Sequence, residues 1–219
     1  MIHDIADIIN KWKHGSIKKY EDTTLCTILK QYGSDKKDLK IQDGHNYSNL
    51  YFEIFTPIKH LQLNILELGM GTNNPNIPST MGINGNPGAS LFAWEHFFPN
   101  SNIFGADIDK DILFNKGRIK TFYCDQTDAD SVNKLWDSIN QQMHIIIEDG
   151  LHEYEANICF LENSLPNLAS TGIYFAEDLP SNAPEGLSLL RENFMKKYNL
   201  QTFEVIQMNK SPLLIIQKK

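Results

Sequence analysis

The sequence predicts an α/β fold of the doubly wound type, a mostly parallel sheet between helices with an antiparallel hairpin at its C-terminal end. Three observations carry that expectation. From Asn64 onward, short apolar runs alternate with helical patterns. The runs NILELG and MHIIIEDG are apolar throughout, as strands covered on both faces are. Finally, QTFEVIQ and PLLIIQ are separated only by MNKS, too short for a crossover helix, so these two strands pair antiparallel.

Taken in order, residues 1–60 read as an N-terminal helical cap, and residues 61–219 as the α/β domain. In the cap, Ile5, Ile8, Ile9 and Trp12 recur at helical spacing, as do Leu25, Ile28, Leu29 and Tyr32. YSNLYFEIF is a third helix, and the polar stretch YGSDKKDLKIQDGHN before it reads as a loop. NILELG is the first strand and GASLFAWEHFF the helix after it. NIFGADID and RIKTFYCD are the next two strands. DADSVNKLWDSI is a helix capped by Asp128 or Asp130. MHIIIEDG is followed by a helix up to Leu165, GIYFAED is the fifth strand, and EGLSLLRENFMKKY is the last helix. The odd segment is TNNPNIPSTMGINGNP. Two to six residues would suffice between a strand and its helix, and this insertion sits at a carboxyl strand end, where open α/β sheets bind ligands.

Composition narrows the class. The 219 residues are 41% hydrophobic, enough for a sizeable core, and the net charge of −7 disfavours nucleic acid as a partner. Cys26, Cys124 and Cys159 form no CxxC pair, which argues against structural zinc or a disulfide framework. The N-terminus lacks the pattern of a signal peptide and no apolar run approaches a membrane span, so the cytoplasm is the expected location.

The strand ends carry the chemistry. Glu67-Leu68-Gly69-Met70-Gly71 closes the first strand, and its glycines permit a sharp turn and close approach of a ligand. The second strand ends in Gly105-Ala106-Asp107, where an acid can accept both hydroxyls of a ribose; Asp109, two residues on, is the competing candidate. The third ends in Asp125-Gln126, within reach of an adenine edge. Glu67, Gly69, Gly71, Asp107, Asp125 and Gln126 thus form an expected adenosyl site. Dinucleotide binding is the rival, but GxGxxG is not met, because Gly71 is followed by Thr72, Asn73 and Asn74. The interrupted turn also presents no immediate helix N-terminus to a pyrophosphate. S-adenosylmethionine has no phosphate to hold.

The fourth strand ends Glu148-Asp149-Gly150-Leu151-His152 and the fifth Glu177-Asp178, side by side in a parallel sheet. Clustered carboxylates repel, and a hard divalent cation relieves them; magnesium suits oxygen ligands better than zinc. Asp149, Glu177 and Asp178 are the expected metal ligands, while Glu148 reads as a helix cap or a strand residue facing away. His152 at the strand-to-helix turn is the expected general base, with Asp149 beside it, because a hydroxyl must lose its proton as it is methylated.

A terminal antiparallel hairpin on a parallel sheet is the hallmark of the class I, Rossmann-like methyltransferase fold. The run GSDK, HNYSNLY, ILELGMG, GASLFAWEHFFPN, GADID, CDQ, IIIEDGLH and YFAED further resembles the metal-dependent sugar O-methyltransferases of macrolide and tetracenomycin-type tailoring, over roughly residues 32–180. Their relatives include macrocin O-methyltransferases and cephalosporin-hydroxylase-like proteins. The resemblance implies magnesium on Asp149, Glu177 and Asp178 with His152 as base. The family's usual turn is DDGSH, so Glu148 and Leu151 depart from it, and no counterpart of the long N-terminal domain of the macrolide enzymes is expected in these 219 residues. Ser34, Asp35, His45 and Tyr47 are further candidates to close over the site. The expected function is methyl transfer to a hydroxyl of a sugar, glycan or natural product, with S-adenosylmethionine and magnesium as cofactors. The expected partner is a small-molecule or glycan acceptor, and self-association is left open. A hydroxylase-like tailoring enzyme and a non-catalytic nucleoside-binding partner are the rivals.

Overall fold

The computed structural model describes residues 4–17, 22–36 and 46–219. Three helices come first: α1 (Ala6–Lys13), α2 (Thr24–Tyr32) and α3 (Tyr47–Phe55). Strand β1 (Asn64–Leu68) leads through the long loop to α4 (Ala89–Phe97) and β2 (Asn102–Asp107). The two-residue strand β3 (Asn115–Lys116) and β4 (Ile119–Tyr123) precede α5 (Ala129–Ile139), whose N-terminus is capped by the Asp128 side chain. Then come β5 (Met143–Glu148), α6 (Tyr154–Ser164), β6 (Leu168–Ala176), α7 (Ala183–Lys197), β7 (Leu200–Gln207) and β8 (Pro212–Lys218).

The eight strands form one sheet in the order β3-β4-β2-β1-β5-β6-β8-β7. Pairings among β4, β2, β1, β5 and β6 are parallel, and β8 runs antiparallel to both β6 and β7, as the short MNKS connection requires. Strand β3 is antiparallel to β4 and was not expected, since two residues give no periodic signal. Strand β6 begins at Leu168, earlier than the apolar run suggested. A register shift opposite Met143–Ile145 and the positive φ of Thr171 accommodate the extra residues.

Alternation along the strands divides the core. Ile65, Ile103, Ile145, Ile147, Ile173, Phe175 and Ile215 face α1–α4, while Leu66, Leu68, Phe104, Ile146, Tyr174, Leu214 and Ile216 face α5–α7. Helices α1–α3 therefore belong to the same core as one face of the sheet. The boundary near residue 60 marks a change of secondary structure and not of core. Helix α3 is buried on nearly all sides, and Tyr51 at its centre packs edge-on to Phe175 of β6 at 4.9 Å between ring centroids. That contact seats an N-terminal helix directly behind the carboxyl ends of the strands. Among the described residues, no helix is long and apolar enough to cross a membrane.

Candidate active site

Strand order reverses at β1, with β2 on one side and β5 on the other, and such a switch point opens a crevice beyond the strand ends. A cavity of about 750 Å³ occupies it, bounded by the ends of β1, β2, β4, β5 and β6. Its roof is the Asn- and Pro-rich loop, through Ile77–Met81. Hydrogen bonds within the segment order it: Met81 N donates to Thr72 O at 2.8 Å and Thr80 Oγ1 to the same oxygen at 2.9 Å. Ser79 Oγ ties it to the far wall by donating to Leu151 O at 3.0 Å.

The β1 turn is built on close approach. Gly69 has φ 87°, and a Cβ there would lie 1.9 Å from the Asp149 carbonyl oxygen. Gly71 has φ 76°, and its Cβ would meet Met81 Sδ at 1.9 Å. Asp107 fixes this turn by accepting from Met70 N at 2.7 Å, while its other oxygen accepts from Asp109 N, just after β2, at 2.9 Å. Burial raises its pKa against the pull of those amides. Of the two aspartates weighed for the ribose, Asp107 lines the cavity; Asp109 accepts from the Thr72 hydroxyl and from Asp111 N and is turned into the loop.

Two of the expected cofactor contacts move. Glu67 does not line the cavity. It is 1% exposed, accepts from Trp94 Nε1 at 2.8 Å and faces Lys36, because its place in β1 points it under α4. Gln126 lines the cavity, but its amide braces the β5 turn: Nε2 donates to Glu148 Oε1 at 3.1 Å and Oε1 accepts from Leu151 N at 2.7 Å. Asp125 is the side chain of that pair that carries a carboxylate to the cavity wall, steadied by Thr127 N at 3.0 Å. Glu148 points away from the cavity, accepting also from Asn157 Nδ2 at 2.6 Å.

The residues expected to bind metal and move the proton divide in two groups. On the outer side, Asp149, His152 and Asp178 each bring one ligand atom within 4.8 Å of the others. His152 Nε2 lies 3.0 Å from Asp149 Oδ1. Burial would lower the imidazole pKa, but the hydrogen bond and charge of Asp149 prevail and raise it. Asp178 Oδ1 accepts from Tyr47 Oη at 3.1 Å and from the Ser211 hydroxyl, and Asp178 N donates to Tyr47 Oη at 3.1 Å. The two carboxylates suit a hard divalent ion that takes oxygen ligands, with the imidazole beside it.

On the inner side, Glu177 departs from the expected ligand set. It is 1% exposed and does not line the cavity; Oε1 accepts from Tyr51 Oη at 2.6 Å and Oε2 from Lys36 Nζ at 2.8 Å. Burial lifts its carboxyl well above the ordinary range despite Lys36. Lys36 also donates to Asp149 Oδ2 at 2.6 Å. Burial opposes the charge on Asp149, yet Lys36 and then His152 hold its carboxyl well below the usual value.

The backbone marks the same place. Six described non-glycine residues have positive φ, and three of them, Ser79, His152 and Asp178, line this cavity. Each costs about 1–3 kcal/mol, and such strain concentrates at functional sites. Sequence reasoning missed Lys36 and Tyr51 as parts of the site and the Ser211 contact altogether. Ser34 and Asp35 line the cavity, and His45 lies outside the described residues.

No protein-family model matches the chain. Among curated proteins it is similar to the 8-demethyl-8-alpha-L-rhamnosyl tetracenomycin-C 2'-O-methyltransferase of Streptomyces olivaceus, 27% identical over 72% of this chain and 38% of that one. The mycinamicin VI 2''-O-methyltransferase of Micromonospora griseorubida is likewise 27% identical, over 69% of this chain and 38% of that one. The chain thus spans about two fifths of the length of these relatives. Among solved structures, the MycE methyltransferase of the mycinamycin biosynthetic pathway, in complex with Mg and SAH, superimposes with a TM-score of 0.72. It is 21% identical, over 91% of this chain and 56% of that one. The sheet order with its antiparallel β8, the cavity at the switch point and these likenesses agree: the chain has the class I methyltransferase fold and is related in sequence to the sugar O-methyltransferases of tetracenomycin and mycinamicin tailoring.

Proposed function

We propose that the chain transfers a methyl group from S-adenosylmethionine to a hydroxyl of a sugar-bearing small molecule or glycan, assisted by a magnesium ion. One observation carries the reading above the rest. A single cavity joins the Gly69–Gly71 turn and Asp107 to a cluster of Asp149, His152 and Asp178 on the neighbouring strand ends. S-adenosylmethionine supplies an electrophilic methyl, and a divalent ion beside the acceptor makes its hydroxyl more acidic.

The chain's residues do the rest. Asp107 receives the ribose hydroxyls, Asp125 faces the adenine, and the glycine turn admits the cofactor without side-chain obstruction. Asp149 and Asp178 would hold the ion through carboxylate oxygens, the donor type a hard divalent cation takes. Asp149 also orients the His152 ring through Nε2, so the second nitrogen takes the acceptor's proton; the negative charge of Asp149 stabilises the imidazolium that results. The loop Ile77–Met81 excludes water above the reacting groups. The relatives act on sugars of aromatic polyketides and macrolides by name, and a sugar hydroxyl is the acceptor class assigned here. The net charge of −7 favours such an acceptor over nucleic acid, and the cytoplasm is where the reaction is placed.

The test is a mass-shift screen with methyl-labelled S-adenosylmethionine and magnesium over nucleotide-sugars, glycans and glycosylated natural products. A gain of one labelled methyl on a sugar oxygen is the expected result. Calorimetry beside it should show S-adenosylhomocysteine binding in preference to NAD, and the reverse order would defeat the cofactor assignment.

A further inference from the structure

Three neighbouring strands end with acids that converge on one ammonium. Lys36 Nζ lies 2.6 Å from Asp149 Oδ2, 2.8 Å from Glu177 Oε2 and 3.0 Å from Glu67 Oε1. The Glu67 contact is an ion pair without hydrogen-bond geometry. The lysine side chain is 2% exposed and both glutamates 1%. Among the described residues, no other cationic side chain pairs with Glu67 or Glu177. Two buried carboxylates and a third, Asp149, at 20% side-chain exposure would repel strongly when this close, and the usual remedies are protonation or a hard cation with oxygen ligands. Here the remedy is covalently attached. The flexible lysine stem reaches in from the turn after α2, where Gly33 closes the helix in the left-handed conformation.

The arrangement also sorts the oxygens of Asp149. Oδ2 is held by Lys36, and Oδ1 faces His152 at the cavity. Glu177 has one oxygen on Tyr51 and one on Lys36, which directs it away from the cavity. We propose that Lys36 is a resident cation of the site: it fills the inner pocket of Glu67, Asp149 and Glu177, aims Asp149 at His152, and confines exchangeable divalent ions to the outer pair, Asp149 and Asp178. Lys36 is thus a positioning residue that also sets how many metal ions the site takes. The outer metal rests on the function proposed above, whereas the inner pocket rests on the ion-pair geometry alone.

The consequence is a count. Emptied of its lysine, the inner pocket becomes a cation site in its own right. The experiment compares the parent chain with Lys36→Met, which keeps a long apolar stem and removes the charge. Chelator-stripped protein is titrated with Mn²⁺, bound ions are counted by equilibrium dialysis, and thermal melts are recorded with and without Mn²⁺. The parent is expected to bind one Mn²⁺ per chain and K36M two. In chelator K36M should melt below the parent and regain most of the difference with Mn²⁺. Adding Glu177→Gln to K36M should return the count to the parent's. A parent that binds none while K36M binds one would defeat the outer metal and support the resident cation. Equal counts with equal melting responses would overturn the proposal. Should K36M fail to fold, K36M/E67Q carries one buried charge fewer and must still bind one ion more than the parent; an unchanged count there overturns it equally.

Discussion

His152 Nε2 and Asp149 Oδ1 lie 3.0 Å apart, on a turn where the histidine backbone takes φ 62°. A histidine held in the left-handed region costs stability, so the turn keeps a conformation that most sequences would relax. What it gains is an imidazole aimed by a carboxylate that is itself fixed by Lys36. The ring leans on one partner, and His152 lines the cavity.

That pair predicts both a rate loss and a pH profile. His152→Ala should cut turnover by roughly 10²–10⁴-fold, the usual worth of a general base, with affinity for S-adenosylhomocysteine nearly unchanged. Because the His152 pKa is raised, the rate of the parent should climb with pH through an apparent value above 6.5 and then level off. Stability should move oppositely. The raised His152 pKa contributes stability that is full below the unfolded value of about 6.5 and is lost as pH rises through the folded value. The lowered Asp149 pKa contributes stability present above about 3.9 and lost on acidification. Single-turnover rates and melts across pH test both signs; a flat rate profile would remove His152 from proton transfer.

Asp107 should matter more than Asp109 for the cofactor. Asp107 faces the cavity and accepts from the backbone amides of Met70 and Asp109, while the Asp109 side chain is spent on Thr72 and on the short turn after β2. Loss of a hydrogen bond to a charged group costs about 1.5–3 kcal/mol. Asp107→Asn should therefore weaken S-adenosylhomocysteine binding roughly 10- to 100-fold by calorimetry, and Asp109→Asn by less than about threefold. The opposite ranking would assign the ribose to Asp109.

The sheet was legible because strand burial and short connections write themselves into local sequence. NILELG, MHIIIEDG and the MNKS turn each state their pairing within a few residues. The convergence of Asp149 and Asp178 followed from neighbouring parallel strand ends. Side-chain direction at those ends was not legible. Glu177 and Asp178 are adjacent in sequence, yet one turns to the buried lysine and the other to the cavity. Lys36 itself lies 113 residues from Asp149 in a polar turn, where a solvated lysine is the ordinary expectation. Only the GSDK and HNYSNLY segments of the family resemblance pointed to the N-terminal helices, and they gave no partner. Tyr51 is fully buried in the third helix, and its hydroxyl's donation to Glu177 depends on a contact 126 residues away.

The adjacent acids Glu177 and Asp178 should therefore separate by experiment. Asp178→Asn should weaken Mn²⁺ binding at least tenfold and leave the melting temperature close to the parent's, since Asp178 has a cavity face. Glu177→Gln should leave Mn²⁺ affinity within a few-fold but lower stability by about 3 kcal/mol, the low end for breaking a buried ion pair. Dialysis and chemical denaturation read the two effects independently. If Glu177→Gln abolished metal binding at unchanged stability, the glutamate would be a ligand after all.

Gly69 and Gly82 share a positive φ and differ in what surrounds them, which isolates close packing from backbone strain. Gly82 has φ 75° and nothing within 4 Å of a Cβ position, so Gly82→Ala should cost only the left-handed strain, about 1 kcal/mol. Gly69 has φ 87°, and its Cβ would lie 1.9 Å from Asp149 O and 2.5 Å from Asp149 C, backbone atoms with no freedom to swing aside. Gly69→Ala must part β1 from β5, where Asp149 N donates to Leu68 O at 2.8 Å, and that movement carries Asp149 and His152 with it. The expected result is a stability loss well beyond that of Gly82→Ala, together with loss of S-adenosylhomocysteine binding and of Mn²⁺ binding in the fraction that remains folded. A Gly69→Ala chain that bound both ligands at parental affinity would show that the cofactor turn and the metal-side turn are independent, and the single cavity joining them would lose its functional meaning.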